Sequence, residues 1–401
     1  MKIHSVFMLS LMALCCCGKK DSYNISKVEV EFKEVSLEID GFFVNDYNRS
    51  CCLSSVGEKY LAGYNLPSRT VDLYDADNMI PIKQIKLLSE GPNAIGDLRN
   101  LIMIDLSNAL VLTKNELIKV KVNESTNEFT VVSRHDLFDI QFNPIAGFDY
   151  QDFQLVVKNT FGLLIGLENT LAYDHEKDRV FLPKYSLTLN DFQAEYFSNE
   201  LGGWVDLRNN TYEELPVFYS EYLRENGTQI PYLYDIQTLW NGSEIVYSFP
   251  ASPEIFVFNL SSNKLKKQVV TAGSLSDGFA KPLEGFKGVS LENIEASMKG
   301  TSYSINSVQH FQPIWDPYRK LYYRVSKVKD TQGEKSLMVK RFGNHVLTIF
   351  DEEFDILWEG EYPANFDATV LVTKDKLLVP LKDQESEDRF QLGTIELNGF
   401  K

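Results

Sequence analysis

"TLWNGSEIVYSFP", residues 238–250, reads as two short apolar strands folded around Asn241-Gly242. Asn and Gly tolerate the backbone angles of a tight turn, and alternating apolar residues on either side mark paired strands. The same strand–turn–strand pattern recurs in "SSVGEKYLAGYN" (54–65), "IMIDLSNALVLTK" (102–114), "LAYDHEKDRVFLPKYS" (171–186), "PIWDPYRKLYYRVS" (313–326) and "VLVTKDKLLVPLK" (370–382). Turn residues sit where the pattern needs them, at Asp174, Asp316-Pro317 and Asp375. A second hairpin follows each of the first five copies: "VDLYDADNMIPIKQIKL", "IKVKVNESTNEFTVVS", "WVDLRNNTYEELPV", "IFVFNLSSNKLKKQVV" and "VLTIFDEEFDILWEG". Four strands per unit, repeated, is the pattern of a β-propeller.

The sixth unit is one strand short. After "VLVTKDKLLVPLK" comes "FQLGTIELNGF", and no further strand follows. The N-terminal stretch "ISKVEVEFKEVSLEID" supplies the missing strand. Val28, Val30 and Phe32 alternate on one face, and Val35, Leu37 and Ile39 on the opposite parity, so a bulge or turn is expected near Lys33-Glu34. The predicted fold is all-β: a six-bladed β-propeller closed by the N-terminal strand, with a few short helices in insertions. A pair of β-sandwiches, or seven blades with one degenerate, are the alternatives. Insertions occur at 88–100, 187–203 and 273–311. Ser290 is placed to cap a helix over Leu291–Met298. Long insertions are expected to gather on one rim, where loops carry function.

The extreme N-terminus has a separate role. Lys2 precedes an apolar run from Val6 to Leu14, too short for the ~20 residues of a membrane-spanning helix and suited to an export signal. Three cysteines follow. Cys17 has Leu14 at −3 and Cys16 at −1, the pattern of a bacterial lipobox, and is the expected lipid attachment. Several acyl chains together give stable anchoring. The expected organisation is signal peptide 1–16, tether 17–26 and a single propeller domain 27–401. The expected location is the outer membrane, facing either the periplasm or the exterior. Cys51 and Cys52 are adjacent, offer no disulfide framework, and read as small buried hydrophobes.

The chain carries a net charge of −16 over 401 residues. That balance argues against nucleic acid, which needs basic patches, and against lying flat on an anionic bilayer. The predicted partners are therefore a membrane, through the lipid alone, and a glycan, peptide or protein ligand.

At this point the residues resemble a family of Bacteroidota lipoproteins of unknown function with a six-bladed propeller-like fold. "IWDPYRKLYYRV" is similar to a recurrent stretch of that family, with Trp315 where a Tyr is usual. "LTIFDEEFDILWEGEYP" and "DKLLVPL" are similar to the segments after it. The likeness covers the lipobox and the C-terminal third. The resemblance implies no reaction and no catalytic residue.

Enzyme signatures are missing: no G-x-S-x-G elbow, H-E-x-x-H, phosphate loop or dinucleotide fingerprint. His135, His175, His310 and His345 are scattered without metal-ligand spacing, and no cofactor is expected. "DADN" (75–78) resembles the start of a calcium loop, but Ile80 and Lys86 stand where Gly and Glu are required, so a solvated turn is the reading. The candidate ligand-binding residues are Asp316, Arg319, Tyr322 and Arg324. Tyr322 and Arg324 share a strand face, and an arginine beside an aromatic can hold carboxylates or sugar hydroxyls. The competing reading makes Arg324 an internal partner and the tyrosines packing. Tyr222, Tyr232 and Tyr234 form a second aromatic group. A non-enzymatic binding or scaffold lipoprotein is expected. The alternative is a polysaccharide hydrolase or lyase with acids in the funnel, needing two carboxyls about 5–5.5 Å apart if retaining.

Overall fold

The computed structural model describes residues 29–39, 53–96, 98–113, 115–137, 139–140, 172–184, 197–270, 278–286, 294–328, 345–382, 384 and 388–399. Cys17, Cys51, Cys52 and Ser290 lie outside the described residues. The described residues are mostly β with two short helices, Glu221–Asn226 and Ile294–Asn306. The second helix overlaps the predicted span at 294–298 and runs on to Asn306. Asn306 Nδ2 and Ser307 Oγ bond back onto its last turn, and the Tyr303 hydroxyl donates to the Lys281 carbonyl at 2.7 Å.

The predicted hairpins form, and they assemble into antiparallel meanders of four strands. Two of these, 53–86 and 98–136, meet edge to edge through one parallel pair, Lys86 with Glu128. The meanders 172–214 and 237–269 are separate sheets, and 309–362 is a sheet whose first position is shared by two short strands. In the last sheet Leu371–Val372, Leu377–Pro380 and Arg389–Asn398 are joined by the N-terminal strand Glu29–Glu38. That strand pairs antiparallel with Arg389–Asn398, from Glu29 opposite Asn398 to Glu38 opposite Arg389.

The expected break at Lys33-Glu34 is absent: the register runs through it unshifted. The parity switch has another cause, because both faces of this strand meet apolar neighbours. Val30 and Phe32 pack towards the 309–362 meander, with the Phe32 ring 5.7 Å from Tyr362. Val35 and Leu37 pack towards the 53–86 meander beside Leu61 and Tyr74.

Among the described residues six apolar clusters hold the meanders together, each drawn from two of them. Consecutive meanders share clusters around Val71 and Val111, Leu112 and Val180, Trp204 and Tyr247, Val257 and Tyr322, and Tyr323 and Val379. The sixth joins the last sheet to the first through Leu371, Phe390, Leu61 and Tyr74. Burying large side chains of this kind stabilises by about 1.5–3 kcal/mol each.

Antiparallel pairing sends alternate connections of each meander to opposite rims. On one rim lie the turns between first and second and between third and fourth strands, none longer than five residues. Asp75, Asp105, Asp174, Asn241 and Asp316 open such turns, each side-chain oxygen accepting the backbone N–H groups two and three residues on. Asp75 thus does the work of a turn, as read from "DADN". Most of these turns leave through a residue at positive φ, among them Met79, Asp178 and Lys320. The strand ends that flank every connection longer than five residues lie at the opposite rim, on either side of 39–52, 87–97, 137–171, 184–201, 215–236, 270–308, 328–344, 363–370 and 381–388.

Candidate functional site

Asp316 ends the short strand Ile314–Asp316 on the short-turn rim and is fully buried. One oxygen accepts the backbone N–H groups of Tyr318 and Arg319, both at 2.9 Å. The other accepts Arg319 Nη1 at 2.8 Å and the Tyr323 hydroxyl at 2.9 Å. Four donors saturate the carboxylate, so it has no lone pair left for a substrate or metal. Burial, reinforced by Asp316, lifts the Tyr323 hydroxyl far above its ordinary range. Arg319 reaches on to the carbonyls of Thr373 and Lys374 in the next sheet, at 3.2 and 3.0 Å.

Tyr322 and Arg324 point the other way, towards the 237–269 meander. The Tyr322 ring stacks on Phe354 at 4.6 Å, and its hydroxyl accepts from Asn241 Nδ2 at 2.9 Å. Burial pushes that hydroxyl up to about 12. Arg324 is 1% exposed. It donates to the carbonyls of Pro253 at 3.2 Å and Val270 at 3.3 Å, and its guanidinium lies 5.6 Å from the Phe350 ring centre. Burial pulls its pKa down to about 9. The structure therefore brings Asp316 and Arg319 together, and sends Tyr322 and Arg324 to a different contact. Arg319, Tyr322 and Arg324 tie one meander to its two neighbours, and Asp316 holds Arg319 in place.

A further fully buried titratable group nearby is His310, which sequence reasoning did not single out. Nδ1 faces Ser326 Oγ at 2.9 Å and Nε2 faces the Gly278 carbonyl at 2.6 Å. A carbonyl only accepts, so Nε2 carries the proton and Nδ1 accepts from the serine. Burial, and then the charge of Arg324, pull its pKa down to about 3, and the ring is neutral.

This contact is on the rim of long connections. The segment 278–286 lies across it: Ala280 N donates to Ala251 O, Leu283 N to Gln229 O, and the Tyr222 hydroxyl to Ala280 O. Lys327 donates to the Ile305 carbonyl at the helix end, and burial, then Lys382, pull its pKa down to about 8. The second aromatic group is mostly packing. Tyr234 is buried against Phe197, Tyr222 is half-buried on the short helix, and Tyr232 is half-buried at φ 63°.

The other histidines stay apart. His135 bonds Ser133 and Asn210, His175 lies beside Tyr173, and His345 stacks on Phe311. Among the described residues, no group of three or more His, Cys, Asp or Glu side chains is placed to hold a metal ion. No helix of the described residues is long and apolar enough to cross a membrane. A shallow cleft opens where the N-terminal strand ends, lined by Glu38, Ile39, Asp388 and Arg389.

Solved structures similar to the chain include a member of the same family named below, from Bacteroides vulgatus. It is 16% identical, covers 93% of this chain and 99% of that chain, and has a TM-score of 0.67. The Cps50 (Swd1) β-propeller domain of Myceliophteria thermophila is 10% identical over 90% and 99% of the two chains, at a TM-score of 0.42. Virginiamycin B lyase of Staphylococcus aureus is 8% identical over 92% and 99%, at a TM-score of 0.38. No curated protein matches the chain. The model of a domain of unknown function, DUF4221, matches residues 22–361, and the chain belongs to the DUF4221 family.

Proposed function

We propose that this chain is a lipid-anchored envelope protein, attached through Cys17, that binds a glycan, peptide or partner protein without turning it over. We read the fold as a six-bladed β-propeller closed by the N-terminal strand. The pairing of Glu29–Glu38 with Arg389–Asn398 supports that reading, as do the apolar clusters that pass from each meander to the next and from the last to the first.

One observation carries the binding reading. Every connection longer than five residues leaves and returns at strand ends on one rim, while the opposite rim is made of short turns, several of them opened by an Asp whose carboxylate is spent on its own backbone. Binding residues concentrate on loops held by a rigid scaffold. The polar chemistry of "DPYRKLYYR" is absorbed by contacts within and between sheets, which leaves the long-connection rim as the binding face.

The test is a glycan and peptide array probed with the body, residues 23–401, followed by mass spectrometry of any ligand retained. The expected result is a ligand recovered intact, whose binding weakens on charge reversal of the rim helix (Glu221→Lys with Glu225→Lys) and not on Ser262→Glu in a short turn. A ligand recovered cleaved, or one lost only with the short-turn variant, would overturn the reading.

A further inference from the structure

The direction of the N-terminal strand decides which rim a lipid-anchored form turns to the bilayer. Glu29 lies opposite Asn398, at the short-turn end of the last sheet, and Glu38 lies opposite Arg389, at the long-connection end. The neighbouring turn 373–376 fixes that assignment. Lys374 N donates to the Glu58 carbonyl at 2.7 Å, and Lys376 Nζ to the carbonyls of Ala76 and Asp77, so the short turns of the last and first sheets share one rim. The chain therefore enters the fold from the short-turn side.

Twelve steps separate Cys17 from Glu29. Fully extended they reach about 40 Å, and as a flexible coil they span about 20 Å on average. The ten-residue strand Glu29–Glu38 runs from rim to rim, a distance of about 30 Å. A tether of that length holds the short-turn rim near its anchor, and would have to run up the outside of the sheets to turn the other rim down.

Resting on the Cys17 anchor of the proposed function, we infer that the short-turn rim faces the lipid bilayer and that the long-connection rim, with 278–286 and the helix Ile294–Asn306, faces away from it. The surface offered to a soluble ligand or a second cell is then the rim of long connections. The turn rim is the surface held nearest the membrane.

The experiment uses full-length processed protein in phosphatidylethanolamine–phosphatidylglycerol vesicles carrying a rhodamine-headgroup lipid. Donor dye is placed at Ser243→Cys, in an exposed short turn, or at Glu284→Cys, exposed on the other rim, in a Cys51→Ser, Cys52→Ser background. Intact mass of the tryptic N-terminal peptide reports lipid on Cys17 in the same sample. The expected result is a lipidated protein in which the Ser243 dye loses at least twice as much emission to the lipid acceptor as the Glu284 dye. Equal or reversed transfer in a lipidated protein overturns the orientation alone. A peptide without lipid overturns the anchor and the orientation together.

Discussion

Protonating His310 should loosen the contact between the 237–269 and 309–362 meanders, and the size of the effect follows from its burial. Its pKa falls from an ordinary 6.5 to about 3 in the folded chain, so the folded state binds fewer protons than the unfolded one between those values. The stability it contributes is present in full above pH 6.5 and drains away as pH falls through 6.5 towards 3. At pH 5 the unfolded side chain is almost wholly protonated and the folded one is not, a difference of about 2 kcal/mol. Burial pushes Asp235 the opposite way, up to about 6, and its contribution runs in the opposite sense over the same range. Comparison with His310→Gln removes that background. Urea unfolding of both proteins at pH 8 and pH 5 is the assay. Wild type should lose about 2 kcal/mol more than His310→Gln between the two pH values, even though the variant is less stable at pH 8 through its altered bonds to Gly278 and Ser326. Equal losses in the two proteins would refute the account of His310 as a buried neutral base.

Three further outcomes are expected from the same geometry. Tyr323→Phe removes one of four donors to the buried Asp316 carboxylate and should cost about 1.5–3 kcal/mol by denaturant midpoint. Gly393→Ala places a Cβ 2.2 Å from the Phe366 ring in the strand that receives the N-terminal segment, and overpacking there should cost about 1–3 kcal/mol, read as a lower Tm. Glu58→Gln breaks an ion pair with Lys374 whose side chains are more than half exposed, and should change the midpoint by less than about 1 kcal/mol.

The strands were legible because two signals coincided at each hairpin. Apolar alternation marked the strands, and an Asp or Asn opened the turn, as at Asp174 and Asn241. The N-terminal strand was legible for a simpler reason: the last unit lacked a partner. Its predicted break was misplaced because parity alone cannot separate a bulge from a strand buried on both faces, which is the state of Phe32 and Leu37. At the candidate site, residue type misled. Asp316, Arg319, Tyr322 and Arg324 have the chemistry of a ligand site, but their partners are a hydroxyl, an amide and carbonyls from three sheets, pairings that no local pattern records. His310 was read only as one of four scattered histidines, and Lys327 went unremarked, for the same reason. Their partners, Gly278 and Ile305, offer only backbone oxygen, which leaves no trace in the sequence.

The proposed ring and the proposed orientation at the membrane both rest on the pairing of Glu29–Glu38 with Arg389–Asn398, so closure is the claim to test first. The measurement is thermal unfolding, followed by near-ultraviolet circular dichroism, of the body 23–401 and of a truncation beginning at residue 40. Truncation uncovers the whole edge of Arg389–Asn398 and removes Leu37 from the cluster that joins the last sheet to the first. The expected result is loss of the native transition in the truncated chain and its recovery when a peptide of residues 27–40 is added. An unchanged midpoint in the truncated chain, with or without peptide, would contradict the account.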